Sequence, residues 1–105
     1  MRNSNIIQSQ IKEAIKKIDP HAEVYLFGSR ARKDSRSDSD WDILVLVDND
    51  DVYHGLEDKF RNELYELELE SGQLISSLIY PKNYWNQALV HTPIYASVKN
   101  EGILL

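Results

Sequence analysis

The chain has 105 residues, of which 42% are hydrophobic and 28% are charged, and it contains no cysteine. This length predicts one domain over residues 1–105, and the absence of thiols excludes disulfides, thiolate metal sites and thiol nucleophiles. With 12 basic residues against 17 acidic ones and a net charge of −5, the chain lacks the broad basic face that a long nucleic acid requires.

The first half of the chain predicts one helix and two strands. Isoleucines at three- and four-residue spacing predict a helix over residues 4–18. Short apolar runs predict strands over 23–27 and 40–47, joined by a turn and a polar loop over 28–39. Because the second run is continuously apolar beyond Asp42, it is typical of a central strand buried on both faces.

The second half predicts a long helix, a third strand and two shorter helices. The long helix spans residues 52–70 and the third strand spans 73–80. Prolines at the first helical position predict short helices that begin at Pro81 and Pro93, the second of them ending at Gly102. Together these elements predict an α+β fold, an α/β two-layer arrangement in which helices pack on a small mixed three-stranded sheet.

A Gly28-Ser29 turn directly follows the first predicted strand. Glycine lets the backbone turn sharply and lets a phosphate approach closely. If a helical turn begins at Ser29, its first backbone N–H groups point at that anion, and Arg30 or Arg32 adds charge-assisted hydrogen bonds. The alternative is an ordinary turn with solvated arginines, and this short motif alone does not decide between the two.

Asp40 and Asp42 form a D-x-D pair at the start of the second strand. Positions i and i+2 of a strand point to the same face, about 6.6 Å apart, and two such carboxylates repel each other unless a cation lies between them. The pair suits one Mg²⁺ ion completed by waters and phosphate oxygens, or two ions about 3.5–4 Å apart. The alternative is a pair of solvated acids. A calcium loop of the EF-hand type is excluded, because Ile43 and Asn49 stand where its glycine and bidentate glutamate belong.

In order and spacing, the Gly-Ser turn, the arginines and Ser39-Asp40-Trp41-Asp42 resemble the signature of the DNA polymerase beta nucleotidyltransferase superfamily. The resemblance is closest to its minimal nucleotidyltransferases, and the match is tight over residues 24–47. It implies the nucleotidyltransferase fold and Mg²⁺-dependent transfer of a nucleoside monophosphate from a nucleoside triphosphate, ATP first among them. The residues implied are Gly28, Ser29 and Arg30 or Arg32 at the phosphates, and Asp40 and Asp42 as the catalytic, metal-ligating pair.

The resemblance also implies a partner protein. Minimal nucleotidyltransferases are often paired with a helical HEPN-domain protein, as the antitoxin half of a toxin–antitoxin system. The implied acceptor is then a Tyr, Ser or Thr hydroxyl on a HEPN-type partner, and a homo-oligomer is also compatible with the sequence.

The sequence shows the pattern of neither a membrane span nor a signal peptide. No stretch approaches the roughly 18–20 consecutive apolar residues that a membrane span needs. The first residues lead into an amphipathic pattern without the apolar segment of a signal peptide. We therefore expect a cytoplasmic protein with no membrane contact.

The family pattern has a third carboxylate on the next strand, which helps to hold the metal and takes the proton from the attacking hydroxyl. Here the strand runs from Leu74 to Tyr80 without an acid, and Ser77 is the first candidate for that position and Ser76 the second. Three explanations stay open. In the first, the base comes from elsewhere, with Glu68 and Glu70 nearest in sequence. In the second, a partner or the substrate completes the site. In the third, the domain binds nucleotide and transfers slowly or not at all, as an antitoxin module that acts by binding its partner.

Overall fold

A computed structural model of the chain describes residues 2–32 and 39–105, and side chains from residue 6 onward. Most of the predicted polar loop, residues 33–38, lies outside the described residues. In chain order the described elements are α1 (Arg2–Ile18), β1 (Glu23–Phe27), α2 (Ser29–Arg32), β2 (Trp41–Val47), α3 (Asp50–Ser71), β3 (Ile75–Pro81), α4 (Lys82–Gln87), α5 (Pro93–Glu101) and β4 (Ile103–Leu104). None of the helices in these ranges has both the length and the apolar character needed to cross a membrane.

The strands form one mixed sheet in the order β3-β2-β1-β4. Strand β2 pairs antiparallel with β1 and parallel with β3. A parallel pair needs a crossover connection, and α3 provides it. The prediction of an α+β fold, with helices packed on a mixed sheet, is confirmed.

The predicted number of three strands is wrong, because β4 adds a fourth. Ile103 and Leu104 pair antiparallel with Leu26 and Tyr25 of β1. Two residues are too few to show the alternation that marks a strand in sequence. Pairing with the free edge of β1 determines this element, and that pairing exists only in the folded chain.

Alternating side chains of β2 divide the core into two parts. Trp41 and Ile43 belong to a cluster under α1 and α3, whereas Leu44 and Leu46 belong to a cluster against α4 and α5. We call these sides the α1/α3 face and the α4/α5 face. Strand β2 is thus buried on both faces, as predicted, and the alternation places Asp42 on the α4/α5 face.

Local side chains determine where the long helices begin and end. The Asn49 side chain accepts a hydrogen bond from the Val52 N–H at 3.0 Å, so α3 begins two residues earlier than the predicted range. Gly72 ends the helix with a φ of 73°, in the left-handed region that favours glycine. The Thr92 hydroxyl caps α5 by accepting from the Tyr95 N–H at 3.3 Å, as the Thr-Pro pair predicts.

Candidate functional site

The sheet places the Gly-Ser turn against the D-x-D pair. Gly28 follows β1 directly, and the antiparallel register pairs Phe27 with Asp42. A Cβ atom on Gly28 would collide with a carboxylate oxygen of Asp42 and would lie 3.2 Å from its Cγ. Gly28 also has a φ of 76°, which strains any residue with a side chain. Glycine is therefore required here both by the backbone and by the neighbouring carboxylate.

A short helical turn starts beside this contact. Ser29 begins α2, and the N–H groups of Ala31 and Arg32 each donate to the Gly28 carbonyl at 3.1 Å. This is the helical turn that the sequence predicts after the glycine. Backbone N–H groups at the start of a helix face outward from it, so Ser29 presents an amide and a hydroxyl at the end of β1.

Asp40, Asp42 and Ser76 form a polar centre on the α4/α5 face. The parallel register pairs Asp42 with Ser76, and Ser76 Oγ donates to Asp40 Oδ2 at 3.2 Å. Burial raises the pKa of Asp42 above its ordinary value, the negative charge of Asp40 raises it further, and the positive charge of Arg32 opposes both. The apo site thus holds two carboxylates that interact unfavourably.

These residues fit a magnesium ion. Within residues 2–32 and 39–105, no group of three or more His, Cys, Asp or Glu side chains is arranged to hold a metal. Two carboxylates and a hydroxyl remain as oxygen donors, and Mg²⁺ commonly binds through one or two carboxylates plus substrate phosphates and water. A bound cation would also relieve the repulsion between Asp40 and Asp42.

The first candidate for the third-carboxylate position, Ser77, lies on the wrong face. It pairs with Ile43, whose side chain belongs to the α1/α3 face, and Ser76 is the serine beside the acid pair. The sequence does not distinguish the two, because Leu78 packs on one face and Ile79 on the other. Where both faces are covered, hydrophobic alternation does not reveal which serine faces which side.

The two glutamates nearest in sequence do not complete the site. Glu68 Oε2 accepts a hydrogen bond from the Ile75 N–H at 2.7 Å and so holds the start of β3. Glu70 is exposed on the same helix, α3. Because α3 packs on the α1/α3 face, neither carboxylate belongs to the face of Asp42.

The structure separates the two candidate arginines. The Arg30 Cζ lies 4.3 Å from the centroid of the Trp41 ring, and Nη2 donates to the Ser39 carbonyl at 2.8 Å. Trp41 belongs to the α1/α3 face, so the Arg30 guanidinium is not brought to the acid pair. Arg32 Nη1 lies 3.4 Å from Glu101 Oε1 of α5, on the α4/α5 face, and its charge lowers the pKa of Asp42. Arg32 is therefore the arginine that lies on the α4/α5 face, with the acid pair.

Two further residues of this region, Gln73 and Glu101, belong to no motif in the sequence. Gln73 Oε1 accepts from Arg30 Nη2 at 3.3 Å and from Trp41 Nε1 at 3.1 Å. Glu101 pairs with Arg32 across 69 positions of the chain. Only the assembled sheet brings these groups together, and no local pattern predicts them.

Comparisons with known proteins give one family match and a similar fold. A family model described as "Nucleotidyltransferase domain" matches residues 8–105. The fold is similar to one chain of a solved structure described as "Crystal structure of the toxin-antitoxin with AMP-PNP". The TM-score is 0.62 and the sequence identity 19%, over 92% of this chain and 70% of that chain. At this identity the likeness establishes a shared fold. No curated protein matches the chain.

Proposed function

The chain belongs to the nucleotidyltransferase domain family, and we propose that it transfers a nucleoside monophosphate, from ATP first among nucleotides, to an acceptor hydroxyl with Mg²⁺. In this reaction the acceptor oxygen bonds to the α-phosphorus, its proton passes to a base that the partner or the substrate supplies, and the bond to pyrophosphate breaks. The observation that supports the proposal is the closeness of Gly28 to Asp42, since a Cβ atom on Gly28 would collide with the Asp42 carboxylate. The turn that we propose to bind phosphate therefore lies against the acid pair.

Each residue of the site has a role in the proposed reaction. Asp40 and Asp42 would hold magnesium, which supplies charge neutralisation at the phosphates when bound. Gly28 admits a phosphate oxygen close to the backbone. Ser29 donates its N–H and hydroxyl to that oxygen, and Arg32 offers a guanidinium from the same side.

We also propose that the acceptor hydroxyl belongs to a HEPN-type partner protein. The resemblance of residues 24–47 to minimal nucleotidyltransferases supports this partner. A toxin–antitoxin structure of similar fold supports a partner protein in general. The net charge of −5 disfavours a long nucleic acid as the acceptor.

Ser76 favours a second candidate function, nucleotide binding without transfer by a module that acts through binding its partner. Ser76 pairs with Asp42 in the register, which supports Ser76 as the residue at the third-carboxylate position of the family pattern. A serine hydroxyl is a poor proton acceptor at neutral pH, because its pKa is far from the operating range of a general base. Binding of the nucleotide needs the turn and the acid pair, but transfer also needs a base.

The decisive test is label transfer from radiolabelled ATP, GTP, CTP and UTP with Mg²⁺, with and without the protein encoded next to this chain. Label on either protein that disappears in Asp40→Ala and Asp42→Ala supports the transferase. Nucleotide binding measured by calorimetry without any label transfer supports the binding module. Absence of both contradicts both candidates.

Arg32→Gln is expected to weaken Mg²⁺-ATP binding by about tenfold, because a charge-assisted hydrogen bond contributes about 1.5–3 kcal/mol. AMP binding should change less, since AMP lacks the terminal phosphates. Glu101→Gln is the matched control, because it removes the negative charge that forms an ion pair with Arg32 and should leave ATP binding unchanged or tighter. Calorimetry with ATP and AMP measures both, and an equal loss for the two nucleotides would contradict this role.

Ser76→Asp is expected to restore the third carboxylate. Transfer should rise by at least about tenfold, a fraction of the roughly 10²–10⁴-fold that a positioned general base contributes. The apo melting temperature should fall, because a third negative charge joins two others. Ser77→Asp, one position along, is the control: its charge enters the α1/α3 face and should lower stability without raising the rate. Equal rates in both variants would argue against Ser76 as the position of the base.

A further inference from the structure

We propose that Arg30 is a positioning residue, which holds the backbone around Asp40 from the α1/α3 face so that the carboxylate stays beside Asp42. This inference rests on the proposed function, because it concerns the same acid pair. The groups involved are Arg30, Ser39, Trp41 and Gln73, which we call the Arg30 cluster.

Arg30 contacts the residues on both sides of Asp40. Its Nε and Nη2 donate to the Ser39 carbonyl at 3.3 and 2.8 Å, and its guanidinium lies over the Trp41 ring. Gln73 Oε1 links the two by accepting from Arg30 and from the Trp41 indole. Asp40 stands between Ser39 and Trp41 in the chain, so its backbone is held at both neighbours.

The Arg30 cluster is itself anchored in the core. Trp41 is 2% exposed, and its backbone N–H donates to the Leu74 carbonyl at 2.8 Å. The cluster therefore joins the end of β1, the start of β2 and the residues before β3. A displacement of Asp40 along the sheet would have to break this junction.

This restraint is needed because the carboxylates of Asp40 and Asp42 repel each other when no cation is bound. Asp40 is exposed and accepts a hydrogen bond from Ser76, and Asp42 is the like charge beside it. Two like charges at close range favour separation of the carboxylates. A backbone fixed on the opposite face limits that separation and keeps the pair ready for a divalent ion.

The contacts require the shape of a guanidinium. Arginine offers several N–H donors in one plane and stacks on an aromatic ring, whereas lysine carries a compact charge on a flexible stem. Arg30→Lys therefore keeps the charge and loses the geometry. A residue that serves only as a positive charge at a phosphate would keep part of its function in that variant.

The test compares Arg30→Lys and Arg30→Gln with Arg32→Lys. Three quantities are measured: amide hydrogen exchange at Asp40 and Trp41 in the apo protein, the Mg²⁺ concentration for half-maximal ATP binding, and the ATP dissociation constant at saturating Mg²⁺. In both Arg30 variants we expect exchange to accelerate and the half-maximal Mg²⁺ concentration to rise by about tenfold, within the 10–100-fold typical of groups that orient metal ligands. The ATP dissociation constant at saturating Mg²⁺ should change by less than about twofold, and Arg32→Lys should leave exchange unchanged.

Two results would overturn the positioning role alone. One is weaker ATP binding at saturating Mg²⁺ in Arg30→Gln that Arg30→Lys partly restores, which would assign Arg30 to a phosphate. The other is a wild-type protein that binds Mg²⁺-ATP while both Arg30 variants match it in exchange and Mg²⁺ dependence. A wild-type protein that binds no magnesium nucleotide would instead overturn the proposed function, and the metal-positioning role with it.

Discussion

Asp42→Asn is expected to abolish magnesium-dependent nucleotide binding while leaving the apo protein at least as stable as the parent. The carboxylate lies against Gly28 and beside Asp40, where it is half-buried and repelled. The amide removes the charge and keeps the shape, so the repulsion is relieved. A bound metal contributes several kcal/mol of charge stabilisation, so any transfer should fall by at least about 100-fold.

The stability gain in Asp42→Asn should depend on pH in one direction. The pKa of Asp42 is raised above 3.8 in the folded chain. The contribution of the protonated Asp42 side chain to stability is therefore complete below pH 3.8. It is lost as pH rises through the folded pKa. Asparagine does not titrate, so the free energy of unfolding of Asp42→Asn should rise relative to that of the parent protein over this pH range.

Thermal unfolding without metal at a series of pH values measures this difference. Asp58→Asn, which removes an exposed charge from α3, is the matched control and should neither shift the pH profile nor affect nucleotide binding. A large loss of apo stability in Asp42→Asn would mean that the carboxylate supports the fold, and the site interpretation would then be wrong.

Gly28→Ala is expected to remove nucleotide binding by displacing Asp42. The new methyl group would collide with the Asp42 carboxylate, and the backbone has a φ of 76°. The left-handed conformation alone costs an alanine about 1–2 kcal/mol, which lowers the melting temperature by about 4–8 °C per kcal/mol in a domain of this size.

Gly72→Ala separates the cost of the left-handed backbone from the effect of the collision with Asp42. Gly72 has nearly the same φ, 73°, and among residues 2–32 and 39–105 no atom beyond its chain neighbours lies within 4 Å of a Cβ placed there. It should show the loss of stability and retain Mg²⁺-ATP binding measured by calorimetry. If Gly28→Ala binds Mg²⁺-ATP as well as Gly72→Ala does, the contact with Asp42 has no part in binding.

The sequence predicts those parts of the fold that local signals define. The Thr92-Pro93 pair and Gly102 predict α5 with its observed bounds, because caps and proline act on neighbouring residues. Strand β4 is missed because two residues gain their structure from the edge of β1 alone.

The same distinction holds for the candidate site. The spacing of the motifs predicts that Gly28 and Asp42 meet, since a strand, a turn and a second strand bring them together. The sequence does not predict which serine faces the acids or which arginine lies on their side. Those choices depend on the register of β3 and on the direction in which α2 leaves the sheet.

The mixed sheet also has a consequence for the order of folding. Gly28 and Asp42 are joined through the antiparallel β1–β2 pair, whereas the Asp40–Ser76 and Arg30–Gln73 hydrogen bonds span 36 and 43 positions. Contacts between distant positions require a larger loss of chain entropy before they form. We therefore expect the turn and the acid pair to meet first, by local chain closure, and β3 and Gln73 to align them after α3 has crossed the sheet.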